Sequence, residues 1–165
     1  ADYFHLPVTH KALDLVEVQS LSLQEITTAK AEMAHALLQK PVLVEDVSLT
    51  FVALKKLPGP LIKWFFATLG SAGLSRLLDG YRTRKATASV MFGFCDGTIT
   101  KTFLGSVEGV ISDRPRGKKN FGWDPIFIPD GYTKTWAQMS EEEKHTSGMR
   151  KVALEKLGRF LKAHQ

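Results

Sequence analysis

The stretch over residues 87–111 constrains the fold most strongly, because its pattern predicts two β-strands joined by one turn. Residues 87–94 and 98–111 are rich in β-branched and aromatic side chains, and Asp96-Gly97 separates them. An Asp-Gly pair between two such runs is a strong short-range signal for a β-hairpin. The chain therefore contains an antiparallel pair of strands, and its other elements must pack against a sheet.

The residues before this hairpin predict a helix. Ser22 and Glu25 have the spacing of a capping box, which marks a helix start. Apolar residues then recur at helical spacing up to about residue 39, namely Ile26, Ala29, Met33, Ala34 and Leu37. Pro41 ends the helix, because proline lacks the N–H group that a helix interior needs.

A short strand is predicted directly after this helix. Residues 41–44 form a continuous apolar run, which is typical of a strand buried on both faces. We expect this strand to be central in the sheet, with Glu45 and Asp46 at its exit. Earlier in the chain, residues 13–18 predict a short strand or extended segment with Glu17 near its end.

Turn and helix signals complete the pattern. Residues 57–60 form a Pro-Gly turn, and two short helices follow over 61–69 and 74–78, separated around Gly70 and Gly73. Residues 112–131 predict mostly loop, and the last helix runs from about 146 to 161. Because helices and strands alternate first and a hairpin comes later, the predicted class is α/β with a mixed sheet.

Composition narrows the possible functions. The chain has 165 residues, of which 44% are hydrophobic and 24% charged, as expected for one globular domain. Cys95 is the only cysteine, which favours a reducing cytoplasm, and no apolar run reaches the roughly 20 residues of a membrane helix. The net charge of +5 favours an anionic partner. Nonspecific nucleic-acid binders usually show a dense basic stripe, whereas the basic residues here are scattered except for Arg114, Arg116, Lys118 and Lys119, so a small anionic ligand is compatible with the charge.

Two cations lie on helix faces that otherwise look buried. Lys30 is four residues after Ile26 and three before Met33. Arg150 is three and four residues before the apolar Ala153 and Leu154 of the last helix. A cation on a core-facing stripe needs an anion. Long side chains at the edge of a stripe can also reach out to solvent, so that explanation stays open.

Acidic residues at strand ends offer a partner for such cations. Open α/β sheets bind ligands beyond the carboxyl ends of their strands, where Glu45 and Asp46 are expected. One or two carboxylates, completed by phosphate oxygens and water, suit Mg²⁺, and Glu17 offers another carboxylate. A solvated acidic pair is the alternative reading.

The segment FGWDP over residues 121–125 combines two aromatic residues, a glycine and a carboxylate. Aromatic faces stack on purine bases, and a fixed carboxylate accepts hydrogen bonds from ring N–H groups. An aromatic anchor that holds the loop to the core is the alternative.

Taken together, these features resemble the inosine/xanthosine triphosphate pyrophosphatase family, also called Ham1-like proteins. The resemblance covers nearly the whole chain, in the family's order. It rests on DLVEVQ (14–19), Lys30, PVLVED (41–46), LPGPLIKWF (57–65), PRG (115–117), FGWDP (121–125), DGY (130–132), EK (143–144) and Arg150.

The resemblance implies an elongated two-lobed α/β fold with a long mixed sheet, a cleft between the lobes, and a homodimer. It also implies a reaction, the hydrolysis of noncanonical purine nucleoside triphosphates such as ITP, dITP and XTP to the monophosphate and pyrophosphate. Mg²⁺, or Mn²⁺ in its place, is the implied cofactor. Such an enzyme cleanses the nucleotide pool of the cytoplasm.

The resemblance also assigns roles to individual residues. Glu17 and Asp46 are the implied ligands of the metal. Asp46, with Glu45, is implied to orient or deprotonate the attacking water. The residues implied to neutralise the phosphate charges are Lys30, Lys63 and Lys144. The implied binding pocket for the base is formed by Phe121, Gly122, Trp123, Asp124, Met149 and Arg150.

Two departures from the family leave alternatives open. The family begins with a strand, a Ser/Thr-x-Asn-x-x-Lys phosphate loop and a helix, but the only asparagine of this chain is Asn120. The family's Ser-His-Arg appears here as Gly148-Met149-Arg150, so the base-reading histidine is a methionine. The main hypothesis is an active pyrophosphatase, and the alternatives are a catalytically impaired nucleotide-binding or dimerising member and a basic RNA-binding domain.

Overall fold

The computed structural model describes residues 8–118 and 122–164. Four helices and five strands lie in this part of the chain. In chain order they are α1 (Leu23–Leu38), β1 (Val42–Phe51), β2 (Pro58–Gly59), α2 (Ile62–Arg76), β3 (Lys85–Cys95), β4 (Thr100–Ile111), β5 (Phe127–Pro129), α3 (Glu141–Ser147) and α4 (Met149–Ala163). None of the helices in the described ranges is both long and apolar enough to cross a membrane.

The strands form one sheet in the order β2-β1-β3-β4-β5. The predicted hairpin is confirmed, since β3 and β4 pair antiparallel from Cys95 and Thr100 at the turn to Lys85 and Val110. Every pairing in the described part of the chain is antiparallel, so the expected mixed sheet is not found there. A parallel pair needs two strands joined by a crossover, and residues 8–20, which precede the helix, form no strand.

The prediction for β1 is wrong in three respects. The strand does not end before Glu45 and Asp46 but continues through them to Phe51, so both acids lie within it. It is also not buried on both faces, because Leu43 is 42% exposed, and β3 rather than β1 is the middle strand. Acidic residues are normally depleted in strands, but each of these two meets a cation from a distant helix, as described below.

The two faces of the sheet can be distinguished by close helix contacts. A Cβ atom added at Gly93 would lie 2.9 Å from Thr27 Cγ2 of α1, and Gly93 pairs with Val44. On the opposite face, a Cβ atom added at Gly105 would lie 2.1 Å from the Met149 carbonyl oxygen of α4. Since side chains alternate along a strand, even-numbered residues of β1 face α1 and odd-numbered residues face the side that α4 covers.

The buried face of α1 differs from the predicted stripe. Ser22 caps the helix by accepting a hydrogen bond from the Glu25 N–H group. The buried residues are Ile26, Thr27, Ala31 and Ala34. Leu37, which the stripe included, is 64% exposed. The helix lies close to the sheet at Gly93, which leaves room there for small side chains such as Thr27 and Ala31.

The structure also tests the predictions for the helices after β1 and for the loop before the last helix. Gly70 has φ 63° inside α2 and breaks it into two parts, as expected. The predicted last helix is two helices, α3 and α4, separated at Gly148. A Cβ atom at Gly148 would lie 2.7 Å from the Lys144 carbonyl oxygen, so glycine allows this corner. The segment predicted as loop contains the short strand β5, which pairs with β4.

Candidate active site

The first charged cluster lies on the α1 side of the sheet and is centred on Lys30. Its Nζ donates to Asp46 Oδ1 at 2.9 Å and to the Glu45 carbonyl oxygen at 3.3 Å. Glu17 Oε1 lies 3.7 Å from the same nitrogen, and Glu17 Oε2 lies 3.9 Å from Lys63 Nζ. The inward lysine predicted from the helix pattern thus meets an anion, and four of the expected site residues lie together.

Asp46 carries a feature that a purely structural ion pair does not explain. Its Oδ2 atom is buried and has no hydrogen-bond partner in the described part of the protein. Burial raises the pKa of the Asp46 carboxyl above its usual value, partly offset by the hydrogen bond from Lys30. Nearby Glu17 and Glu45 raise this pKa further. A buried carboxylate oxygen without a partner is costly unless a cation or a proton donor occupies the position beside it.

The second charged cluster lies around Arg150 at the start of α4. Its Nε donates to Glu45 Oε2 at 2.9 Å and its Nη2 donates to Glu45 Oε1 at 2.5 Å. This hydrogen bond, together with the charges of Glu45 and Asp124, raises the pKa of the Arg150 guanidinium. The second inward cation therefore also meets an acidic residue of β1.

Asp124 and Lys144 form a further ion pair. The Lys144 Nζ donates to Asp124 Oδ2, and the Asp124 side chain is only 3% exposed. Burial raises the pKa of Asp124, while Lys144 and Arg150 lower it. Asp124 belongs to a short 3₁₀ turn at Asp124–Ile126, and Lys144 belongs to α3.

A pocket of about 220 Å³ opens beside the charged side chains of Asp124, Lys144 and Arg150. Its wall combines two tryptophans with charged side chains and the backbone of the α3–α4 corner. The lining residues are Trp123, Asp124, Trp136, Glu141, Lys144, His145, Gly148, Met149, Arg150 and Lys151. Aromatic walls with a few placed charges suit a planar ligand with polar edges.

Several lining residues were not predicted from the sequence. Trp136 packs against Trp123 at 5.7 Å between ring centres and donates its indole N–H to Ser147 Oγ. Glu141, His145 and Lys151 line the same pocket. No local periodicity marks these positions, since they reach the pocket through the packing of a 3₁₀ turn and the α3–α4 corner.

The structure brings together most of the expected site residues in two adjoining groups. Asp46 and Glu45 are neighbours in β1, so the α1-side cluster and the pocket lie on either side of one strand. Met149 is buried in the pocket wall, and the Gly122 carbonyl accepts a hydrogen bond from Ser71. Phe121 lies outside the described residues.

These observations define an α/β protein with charged clusters on the two faces of β1 and an aromatic-lined pocket beside one of them. The chain belongs to the Ham1 family, which it matches over residues 3–160. This confirms the family resemblance and the predicted fold class.

Curated relatives and solved structures agree with this assignment. An inosine triphosphate pyrophosphatase of Yarrowia lipolytica is 48% identical, over 94% of this chain and 83% of that protein. A dITP/XTP pyrophosphatase of Saccharolobus solfataricus is 38% identical, over 99% of this chain and 85% of that protein. The structure of the Staphylococcus aureus Ham1 protein matches with a TM-score of 0.80 at 29% identity, over 93% of this chain and 82% of that one.

Proposed function

We propose that this protein hydrolyses the noncanonical purine nucleoside triphosphates ITP, dITP and XTP to the monophosphate and pyrophosphate. Two relatives that align over nearly the whole chain, an inosine triphosphate pyrophosphatase and a dITP/XTP pyrophosphatase, support this reaction. The observation that carries the proposal is the Lys30–Asp46 pair with its unpartnered carboxylate oxygen, placed next to an aromatic pocket.

Glu17 and Asp46 are the proposed ligands of Mg²⁺, for which Mn²⁺ can substitute. Both are oxygen donors on the same cluster, and the unpartnered Oδ2 of Asp46 fits a cation. No group of three or more acidic, histidine or cysteine residues in the described ranges is placed to hold a metal by itself. That agrees with Mg²⁺, which proteins commonly bind through one or two carboxylates plus substrate phosphates. When bound, the ion supplies positive charge to the phosphate oxygens.

The lysines supply the remaining neutralisation in this proposal. Lys30 and Lys63 lie at the Glu17 and Asp46 carboxylates, and Lys144 lies at Asp124. A triphosphate takes these cations from their carboxylate partners, which in turn become available to hold a metal or orient water. Phosphoryl transfer depends chiefly on such positioning and charge stabilisation. Asp46, whose pKa is raised by burial so that its carboxylate is a stronger proton acceptor than an exposed one, is the proposed residue that orients and deprotonates the water.

The pocket is the proposed site of the base. Trp123, Gly122 and Phe121 form its expected wall, and Asp124 and Arg150 are the proposed partners of the base edge. Met149 offers no hydrogen-bond donor at the wall, so discrimination between a 6-oxo and a 6-amino purine falls to these charged residues. We also propose a homodimer acting in the cytoplasm, where the single buried cysteine stays reduced.

A substrate panel tests the proposal. Pyrophosphate release is measured for ITP, dITP, XTP, GTP and ATP with Mg²⁺. The proposal expects the protein to hydrolyse ITP, dITP and XTP, and to hydrolyse GTP and ATP at lower rates. Binding of ITP without any pyrophosphate release would support the alternative, a nucleotide-binding member of the family that lacks turnover. Neither binding nor turnover of any of the five would contradict both.

A further inference from the structure

Glu45 and Asp46 are consecutive residues of β1, yet their side chains serve different groups. Asp46 faces α1 and meets Lys30, whereas Glu45 faces the α4 side and meets Arg150. We propose that Glu45 is a positioning residue that fixes the Arg150 guanidinium at the wall of the base pocket. This inference rests on the proposed function and gives Glu45 a role in recognising the base instead of activating water.

The contact between the two residues has the geometry that fixes an arginine. Both carboxylate oxygens of Glu45 accept a bond, one from Nε and one from Nη2, so the pair is bidentate. Two parallel bonds hold the guanidinium plane as well as its position, which a single bond to a lysine would not do. The carboxylate is carried by a strand within the sheet, so its own position is set by the pairing of Glu45 with Phe92.

The electrostatics explain why the position would change without Glu45. Arg150 lies between two carboxylates, those of Glu45 and Asp124. Asp124 is buried and already bonded to Lys144. If Glu45 loses its charge, Asp124 becomes the stronger attraction for Arg150. The guanidinium would then turn towards Asp124, and the two groups proposed to read the base would neutralise each other.

Because side chains alternate along β1, the proposed role of Glu45 in positioning Arg150 is separate from the chemistry at the phosphates. The two carboxylates point to opposite faces, so the Glu45 side chain does not share the Lys30 cluster. Glu45 reaches that cluster through its backbone carbonyl, which accepts from Lys30 Nζ at 3.3 Å, and through its charge, which is a minor cause of the raised pKa of Asp46. A side-chain substitution leaves this carbonyl in place, and the small effect of the Glu45 charge on Asp46 would appear in kcat, whereas a change in base binding appears in KM.

The test compares Glu45→Gln with Asp46→Asn, using ITP as substrate and inorganic tripolyphosphate as an inhibitor that lacks a base. For Glu45→Gln we expect KM for ITP to rise about tenfold with kcat changed less than about threefold, as for loss of one charge-assisted contact in binding. The inhibition constant of tripolyphosphate stays at the wild-type value. Asp46→Asn instead lowers kcat for ITP.

A double-mutant cycle identifies Arg150 as the residue through which Glu45 acts. Arg150→Lys keeps the charge but cannot form the bidentate pair, so Glu45→Gln should add little to KM on that background. Additive effects of the two substitutions would overturn the inference. A fall in kcat with unchanged KM, or a matching loss of tripolyphosphate affinity, would do so as well.

Calorimetry of ITP binding separates this inference from the proposed function. If the wild-type protein binds ITP but releases no pyrophosphate, the proposed reaction fails, while weaker ITP binding by Glu45→Gln still supports the positioning role. Equal ITP binding by wild type and variant contradicts the positioning role whether or not the protein turns over. If the wild type does not bind ITP, both proposals fall.

Discussion

Replacement of Asp46 by asparagine separates catalysis from stability. The change removes one negative charge and keeps the shape of the side chain, including an oxygen that can accept the hydrogen bond from Lys30. Because Asp46 is the proposed metal ligand and proton acceptor, pyrophosphate release from ITP should fall at least about 10²-fold. Asp79→Asn is a matched control, since Asp79 is an exposed carboxylate that pairs with Arg84 away from the site.

The same substitution should change stability little at neutral pH. The carboxylate is 18% exposed, and its burial costs free energy, which the Lys30 bond at 2.9 Å partly offsets. Loss of the charge removes both contributions, so we expect the free energy of unfolding to change by less than about 1.5 kcal/mol. A decrease of more than about 3 kcal/mol would mean that the pair is a structural element of the fold.

The pH dependence of this comparison has a definite sign. The pKa of Asp46 is raised in the folded state, mainly by burial, so the folded wild type binds a proton more readily than the unfolded chain. The penalty for the charge is therefore present at pH 7 and disappears as the pH falls through the raised pKa towards 3.8. Urea unfolding at several pH values should show the wild type gaining stability relative to Asp46→Asn on acidification. A difference that stays constant with pH, or wild-type turnover by the variant, would refute the reasoning.

Three further substitutions test other parts of the structure. Lys30→Met leaves Asp46 without its nearest cation, so urea unfolding should show a loss of about 1–3 kcal/mol at pH 7, and KM for ITP should rise; unchanged stability and KM would contradict this. Met149→His adds a hydrogen-bonding group to the pocket wall and should raise the ITP-to-ATP ratio of kcat/KM, whereas an unchanged ratio would mean that the base is read elsewhere. Gly105→Ala places a methyl group 2.1 Å from the Met149 carbonyl oxygen, where α4 meets the sheet, and should lower the unfolding free energy by about 1–3 kcal/mol; an unchanged free energy would contradict this close packing.

The local signals in the sequence predicted several elements correctly. The Asp-Gly turn located the β3–β4 hairpin, the Ser22 cap located the start of α1, and Gly70 located the break in α2. Each of these depends on backbone conformation or hydrogen bonding within a few residues. Such preferences can be read from neighbouring residues alone.

The length of β1 could not be predicted in this way. Two consecutive acids look like a strand exit, but here they are satisfied within the strand by distant cations. Asp46 and Lys30 are 16 positions apart, and Glu45 and Arg150 are 105 apart. Tertiary contacts of this kind override local strand propensity.

For the candidate site, as for the fold, the sequence predicted local features but not those that depend on tertiary contacts. The helix pattern identified Lys30 and Arg150 as inward cations, and the structure places an acid opposite each of them. The pattern did not show that Glu45 and Asp46 point to opposite faces, because that follows only once both lie inside a strand. Trp136 was missed because its contact with Trp123 depends on how the 3₁₀ turns at Asp124–Ile126 and Trp136–Gln138 pack together.

The most direct test of the proposed reaction identifies which bond is broken. ³¹P NMR is recorded while the wild-type protein acts on ITP with Mg²⁺. The proposed pyrophosphatase produces IMP and pyrophosphate in equal amounts, with no accumulation of IDP. Formation of IDP and inorganic phosphate, or a spectrum that does not change while ITP is bound, would contradict it.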